Sequence, residues 1–228
     1  MEFTPDATLP PIAGVGDPAA RPRWSVMIPT YNCADTLERT LRSVLDQDPG
    51  PVAMQIEVVD DCSTRDDPEA VVRKVAGSRV AFARQPRNGG HVHNFNACLN
   101  RAQGRLVHIL HGDDWVKDGF YSRLETAFEA NPSVGAAFSR SIYVDHEDAE
   151  AGLTDLELEE RGVIDDWFAR ILSRQRVCTI RISTYGDASG WRRWWAAASS
   201  ASRSGSATSS GSRPSMAPRA MPMSCCVT

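Results

Sequence analysis

The chain has no uninterrupted apolar run near the roughly 18 to 20 residues that a membrane helix requires, and its first twenty residues carry acids but no base. Neither a transmembrane segment nor a secretory signal is expected from such a pattern, which leaves only peripheral membrane contact open. A basic excess is missing too, since 25 Lys and Arg stand against 29 Asp and Glu, for a formal net charge of -4. Nucleic-acid binding through general electrostatics is therefore not expected. The six cysteines, Cys33, Cys62, Cys98, Cys178, Cys225 and Cys226, include no Cys-x-x-Cys pair. That removes the usual zinc and redox spacings and points to free thiols in a reducing, cytoplasmic setting. Gly14-Val15-Gly16 lacks the third glycine, the preceding strand and the following helix of a dinucleotide loop.

What is present begins at Trp24. Residues 1–22 are rich in Pro, Ala, Gly and Asp without periodicity and read as a disordered leader. From residue 23 to 179, short apolar runs alternate with amphipathic stretches, the grammar of βα units around a mainly parallel sheet. Ser25–Ile28 predicts a first strand, and Leu37, Leu41, Val44 and Leu45 space a helix over Ala34–Asp46. Ile56–Val59 predicts a second strand, and Pro68–Ala76 a helix with proline in its first turn. Arg79–Ala83 reads as a third strand, turned at Asn88-Gly89-Gly90 into a helix carrying Phe95, Cys98 and Leu99. Leu106–Leu110 is a fourth strand, followed by a helix with Phe120, Leu124, Ala127 and Phe128. A fifth strand is expected near Val134–Phe138, an acidic surface loop over Asp145–Glu160 and another helix over Val163–Leu172.

Residues 180–228 break this grammar. They are dominated by Ser, Ala, Arg and Gly, contain no Lys or Glu, and have Asp187 as their only acid. A low-complexity, disordered tail is expected, and a reading-frame change upstream explains it better than a genuine extension.

In an open parallel sheet, ligands sit beyond the carboxyl ends of the strands. The unusual residues gather there: Pro29-Thr30-Tyr31-Asn32, Asp60-Asp61-Cys62-Ser63-Thr64, Asn88-Gly89-Gly90 and Gly112-Asp113-Asp114. Tyr31 offers a ring for a base to stack on. Asp60 or Asp61, with Asp61 preferred, could accept a base N–H or a ribose hydroxyl, as the acid after strand two does in dinucleotide sites. Asp113 and Asp114 offer hard oxygen ligands for Mg²⁺ or Mn²⁺, an ion suited to neutralising a diphosphate leaving group. An Asp pair at a strand end is also a common helix cap or solvated turn, so weight falls on the ordered set.

That ordered set resembles family 2 glycosyltransferases: Val26-Met27-Ile28-Pro29-Thr30-Tyr31-Asn32, then Val58-Val59-Asp60-Asp61-Cys62-Ser63-Thr64, then Asn88-Gly89-Gly90, then Leu110-His111-Gly112-Asp113-Asp114-Trp115. The resemblance implies an α/β GT-A (Rossmann-like) fold, mainly parallel and incomplete on its C-terminal side. It implies transfer of a sugar from a UDP- or GDP-type donor to a hydroxyl acceptor, glycan or lipid-linked, with inversion and a divalent metal. By the same resemblance Pro29, Thr30, Tyr31 and Asp61 contact the nucleoside, Asn88 and Gly89 lie near the donor, and Asp113 and Asp114 occupy the metal-binding region. His111 departs from the pattern, standing where many members have the first acid of a Leu-Asp-Ala-Asp-Asp run, which shifts metal binding mainly to Asp114. The family's general base and acceptor-shaping helix are not found either, so a nucleotide-binding remnant stands as the alternative.

Overall fold

The computed structural model describes residues 20–145, 147–155 and 158–164, together with the backbone of 183–184 and 223–225. Its centre is a four-stranded parallel sheet made of β1 (Trp24–Thr30), β2 (Met54–Asp60), β3 (Ala81–Arg84) and β4 (Leu106–Ile109), in the order β3-β2-β1-β4. The chain builds outward from β1 to β3 and then returns to the other side of β1 with β4. The carboxyl ends of β1 and β4 therefore form the topological switch point, where loops diverge and leave a crevice.

The strands are apolar on both faces because helices cover both. Val26 and Ile28 of β1 join Val58 of β2 and Leu106 of β4 in the main core, against Leu37, Leu41 and Val44 of α1 (Ala34–Leu45), Val72 of α2 (Pro68–Ala76) and Phe120, Leu124 and Phe128 of α4 (Phe120–Ala130). Met27 and Val59 point the other way, to Cys98 of α3 (His91–Arg101). This period-two alternation fixes the register, since a one-residue slip would exchange the two faces. Each fully buried Leu or Ile contributes about 1.5–3 kcal/mol. Inside this core, His108 of β4 lies 3.2 Å through Nδ1 from the Tyr121 hydroxyl and packs on the Phe120 ring.

Pro68 occupies the first turn of α2, where its missing N–H costs nothing, and Asp67 caps that helix through the Ala70 N–H. Ahead of β1, Arg21 donates to the carbonyls of Gln103 (2.7 Å) and Gly104 (2.8 Å), so the fold takes hold of the chain two residues before Arg23. The third strand starts at Ala81 rather than Arg79, because the Arg79 N–H is still bonded to the Ala76 carbonyl (2.9 Å) in the turn that ends α2, while its guanidinium reaches Asp48 and the Met54 carbonyl (2.8 Å).

Two expectations need correction. The fifth strand is only two residues, β5 (Ala136–Ala137), and it pairs antiparallel with β8 (Ser183–Thr184) instead of joining the parallel sheet. The run around it is short and interrupted by Gly135, which weakens strand pairing. The acidic segment is not loop throughout. β6 (Ser141–Val144) and β7 (Glu150–Leu153) form an antiparallel hairpin, and β6 also pairs with β9 (Met223–Cys225). The helix expected over Val163–Leu172 falls, from residue 165 onward, outside the described residues, as does most of the 180–228 tail. Among the described residues, no helix is long and apolar enough to cross a membrane.

Candidate functional site

The loops that end β1 and β2 are stitched together by side chains. Asn32 stands at φ 52°, a left-handed conformation that Asn tolerates better than most residues. From there its N–H donates to Ser63 Oγ (2.8 Å), while its Oδ1 accepts from the N–H groups of Thr64 (2.9 Å) and Arg65 (3.0 Å). Asp66 of the second loop accepts the Ala34 N–H at 2.8 Å, closing the amino end of α1 from outside. Cys62, at φ 62°, completes a turn that a thiol side chain does not favour by itself. Tyr31 stands at the mouth of this pair, 47% exposed.

The two acids after β2 are both buried and differently employed. Asp60 accepts from Ser63 N–H and Oγ and from Arg84 Nε (2.7 Å). That hydrogen bond raises the Arg84 pKa and keeps the guanidinium charged. Asp61 gives one oxygen to the Gly89 N–H (2.9 Å) and the other to the Gly90 N–H (2.8 Å), while its own carbonyl accepts from Asn88 Nδ2 (3.2 Å). A carboxylate thus caps the amino end of α3, where the helix dipole favours negative charge. Gly90 sits at φ 83°, which glycine alone adopts without strain.

The β4 loop is held by α1. Thr36 and Thr40, one turn apart, each donate a hydroxyl to the Gly112 carbonyl at 3.0 Å. Farther along the same helix, Ser43 Oγ accepts the Val116 N–H (3.2 Å), and in the turn just past its end Gln47 Nε2 donates to the Lys117 carbonyl (3.2 Å). From the β1 side, the Pro29 carbonyl accepts the Gly112 N–H at 3.2 Å. The approach leaves no room for a side chain: a Cβ on Gly112 would lie 2.6 Å from Thr30 Cγ2 and 2.8 Å from Cys33 Sγ. Burial, with Asp113, Asp66 and Asp35 nearby, pushes the Cys33 thiol up to about 12, although a hydrogen bond from the Tyr31 backbone opposes the shift. The thiol stays protonated and is no nucleophile near neutral pH.

This anchoring leaves His111, Asp113 and Asp114 with one potential ligand atom each, all within 4.8 Å of one another. Asp114 is buried, Asp113 exposed and His111 partly exposed. His111 Nδ1 lies 3.6 Å from Asp114 Oδ2, and its ring stacks on Phe95 of α3 at 5.2 Å. One imidazole nitrogen and two carboxylates are a suitable donor set for a divalent cation. Trp115 then packs toward Ile142 and Val144 of the hairpin, with the Arg39 guanidinium 3.2 Å from its ring centre.

Of the expected site residues, the fold brings Tyr31, Asn88, Gly89 and Asp113 to exposed positions on three of the four loops, while Pro29, Thr30, Asp60, Asp61 and Asp114 are buried beneath or between them. Sequence reasoning missed the supports: Thr36, Thr40, Ser43, Gln47 and Arg84. Thr36, Thr40 and Ser43 were detectable, because spacings of four and three residues place them on one face of α1.

Residues 25–186 match the family model for glycosyl transferase family 2, which is well over half of the chain. The chain belongs to glycosyl transferase family 2. An uncharacterized protein of Mycobacterium tuberculosis is 43% identical over 122 residues, covering 53% of this chain and 36% of that one. TuaG of Bacillus subtilis, named as a teichuronic acid biosynthesis glycosyltransferase, is 38% identical over 126 residues, covering 54% and 47%. The chain thus spans between a third and a half of the length of these relatives. Among solved structures, a mannosyltransferase of Pyrobaculum calidifontis in complex with GDP-Man and Mn²⁺ is similar, with 30% identity and a TM-score of 0.46 over 54% of this chain and 36% of that one. The family, the parallel sheet and the flanking helices together make the fold GT-A.

Proposed function

We propose that this chain carries the donor half of a metal-assisted, inverting glycosyltransferase, binding a UDP- or GDP-type sugar across the carboxyl ends of β1, β2 and β4. The observation that carries the reading is the convergence of His111, Asp113 and Asp114 at the switch point of the sheet, on a loop tied to the β1 loop. The exposed Tyr31 ring supplies a face for the base, and the Asn88-Gly89 turn borders the space left for the rest of the donor. Asp61 acts by holding that turn through Gly89 and Gly90, and Asp60 by holding Ser63 and Arg84.

His111, Asp113 and Asp114 would hold Mg²⁺ or Mn²⁺. Such an ion supplies Lewis-acid neutralisation of charge on the departing diphosphate. The chain's own contribution is to fix the ligands before the donor arrives. Gly112 is gripped by Thr36, Thr40 and Pro29, so the Asp pair has little freedom left to lose on binding. The acceptor hydroxyl, its general base and the identity of the sugar belong to the part of the reaction that these loops do not form.

Calorimetric titration with UDP and GDP, each with and without Mn²⁺, tests the reading. Metal-dependent binding that Asp114→Ala abolishes in a cooperatively folded protein supports it. Equal binding by wild type and variant, or none by a folded wild type, overturns it.

A further inference from the structure

Most of the features that favour a divalent cation at the β4 loop are oxygens, and His111 is the exception. Its imidazole, partly exposed, is packed on one side. One face stacks on Phe95 at an interplanar angle of 24°, and Phe95 in turn meets His91 edge to face, so α3 sets the plane of the ring. Along the loop, the Asp114 N–H donates to the His111 carbonyl at 3.1 Å, forming a tight turn that returns Asp114 toward the imidazole. Two ligands that each lie about 2.1 Å from a shared ion are separated by roughly 3 to 4.2 Å. The 3.6 Å from His111 Nδ1 to Asp114 Oδ2 falls within that interval.

We propose that His111 is a direct nitrogen ligand of the cation and makes this site select Mn²⁺ over Mg²⁺. The inference rests on the donor-site reading given above and adds the identity of the ion. Mg²⁺ takes oxygen ligands in a near-ideal octahedron and gives up its water reluctantly. An imidazole in place of a carboxylate removes one negative oxygen and supplies a neutral nitrogen, which favours first-row transition ions over Mg²⁺. The Phe95 stack makes the preference a property of the fold, because the nitrogen is presented without ordering a free side chain on binding.

The test uses the full chain with Mn²⁺ and Mg²⁺ as probes in the presence of UDP, or of GDP if calorimetry selects it. Electron paramagnetic resonance counts bound Mn²⁺ by loss of the aqueous signal, and its pulsed form detects ¹⁴N of a directly bonded imidazole. Wild type should show that nitrogen coupling, and His111→Asp and His111→Ala should lack it. Mg²⁺ should displace Mn²⁺ from His111→Asp roughly tenfold more readily than from wild type, the scale seen when the support of a metal site is altered. Urea midpoints of the variants show whether they are folded, and the coupling in wild type is decisive even if they are not. Mn²⁺ bound without nitrogen coupling would overturn the ligand role of His111 while leaving the donor site standing. A folded protein that binds no Mn²⁺ with either nucleotide would overturn both.

Discussion

The chain contains the same dipeptide at two strand ends, and the two copies do different work. Asp60-Asp61 ends β2 with its oxygens committed to hydrogen-bond donors: Ser63, Arg84 and the Gly89 and Gly90 N–H groups. Asp113-Asp114 follows β4 in the company of His111, whose imidazole offers a further donor atom within 4.8 Å. Carboxylates surrounded by N–H groups serve as mortar between loops, whereas carboxylates gathered with an imidazole are suited to a cation. The dipeptide alone does not distinguish the two; its neighbours do.

The sharpest way to break this comparison is Asp61→Ala, which strands two backbone donors at the start of α3. We expect a loss of roughly 2–4 kcal/mol in urea unfolding, since hydrogen bonds to a charged partner contribute more than neutral ones. Asp113→Ala, at an exposed position, should stay within about 0.5 kcal/mol of wild type in the same measurement. Similar losses from the two would end the distinction.

Next in size is Gly112→Ala. Its methyl group would collide with Thr30 and Cys33, so either the loop or α1 must shift, at a cost of about 1–3 kcal/mol. Mn²⁺ affinity should fall along with stability, and an unchanged affinity would show that the ligands do not depend on this close approach. Thr40→Val keeps the shape of the side chain and removes one of the two hydroxyls on the Gly112 carbonyl, for about 1 kcal/mol. Thr40→Ser should restore stability and metal affinity together, whereas rescue of stability alone would separate the helix from the site.

The smallest effect concerns Asp48, far from either pair. Burial raises its carboxyl, but the hydrogen bond from Arg79, the Gly50 N–H and the charge of Arg79 outweigh this and hold it below the usual carboxylate range. A pKa lower in the folded than in the unfolded state gives stability that is present above about pH 4 and lost as pH falls through the folded value. Asp48→Asn should lower the unfolding midpoint at pH 7 and flatten its decline in acid. Parallel curves for variant and wild type would exclude the linkage.

The parallel sheet was legible because strands buried on both faces read as apolar runs, as Ser25–Ile28 and Ile56–Val59 do, and because each run ends in residues with no core role. The four loops were legible for the same reason. What could not be read was who bonds to whom. Nothing in Asp60-Asp61 says that Arg84 lies beside one acid and Gly89 and Gly90 beside the other, because those partners are 24 to 29 residues away and meet only through the register of β2 and β3 and the turn into α3. The β6–β7 hairpin escaped for a different reason. All four residues of β7 are exposed, so no alternation marks them, and the acids around them have the composition of a loop.

The polar face of α1 has a consequence beyond holding a loop. The helix begins just after Tyr31 and Asn32 and grips the β4 loop at Thr36, Thr40 and Ser43, with Gln47 adding a contact just past its carboxyl end. Both ends of the proposed donor crevice are therefore mounted on one rod, whose rise of about 1.5 Å per residue sets their spacing. α1 works as a ruler: a donor is measured against a helix rather than against two independently moving loops. Inserting a residue within that stretch would turn the residues beyond it by about 100° around the helix and carry them off the face that holds the loop.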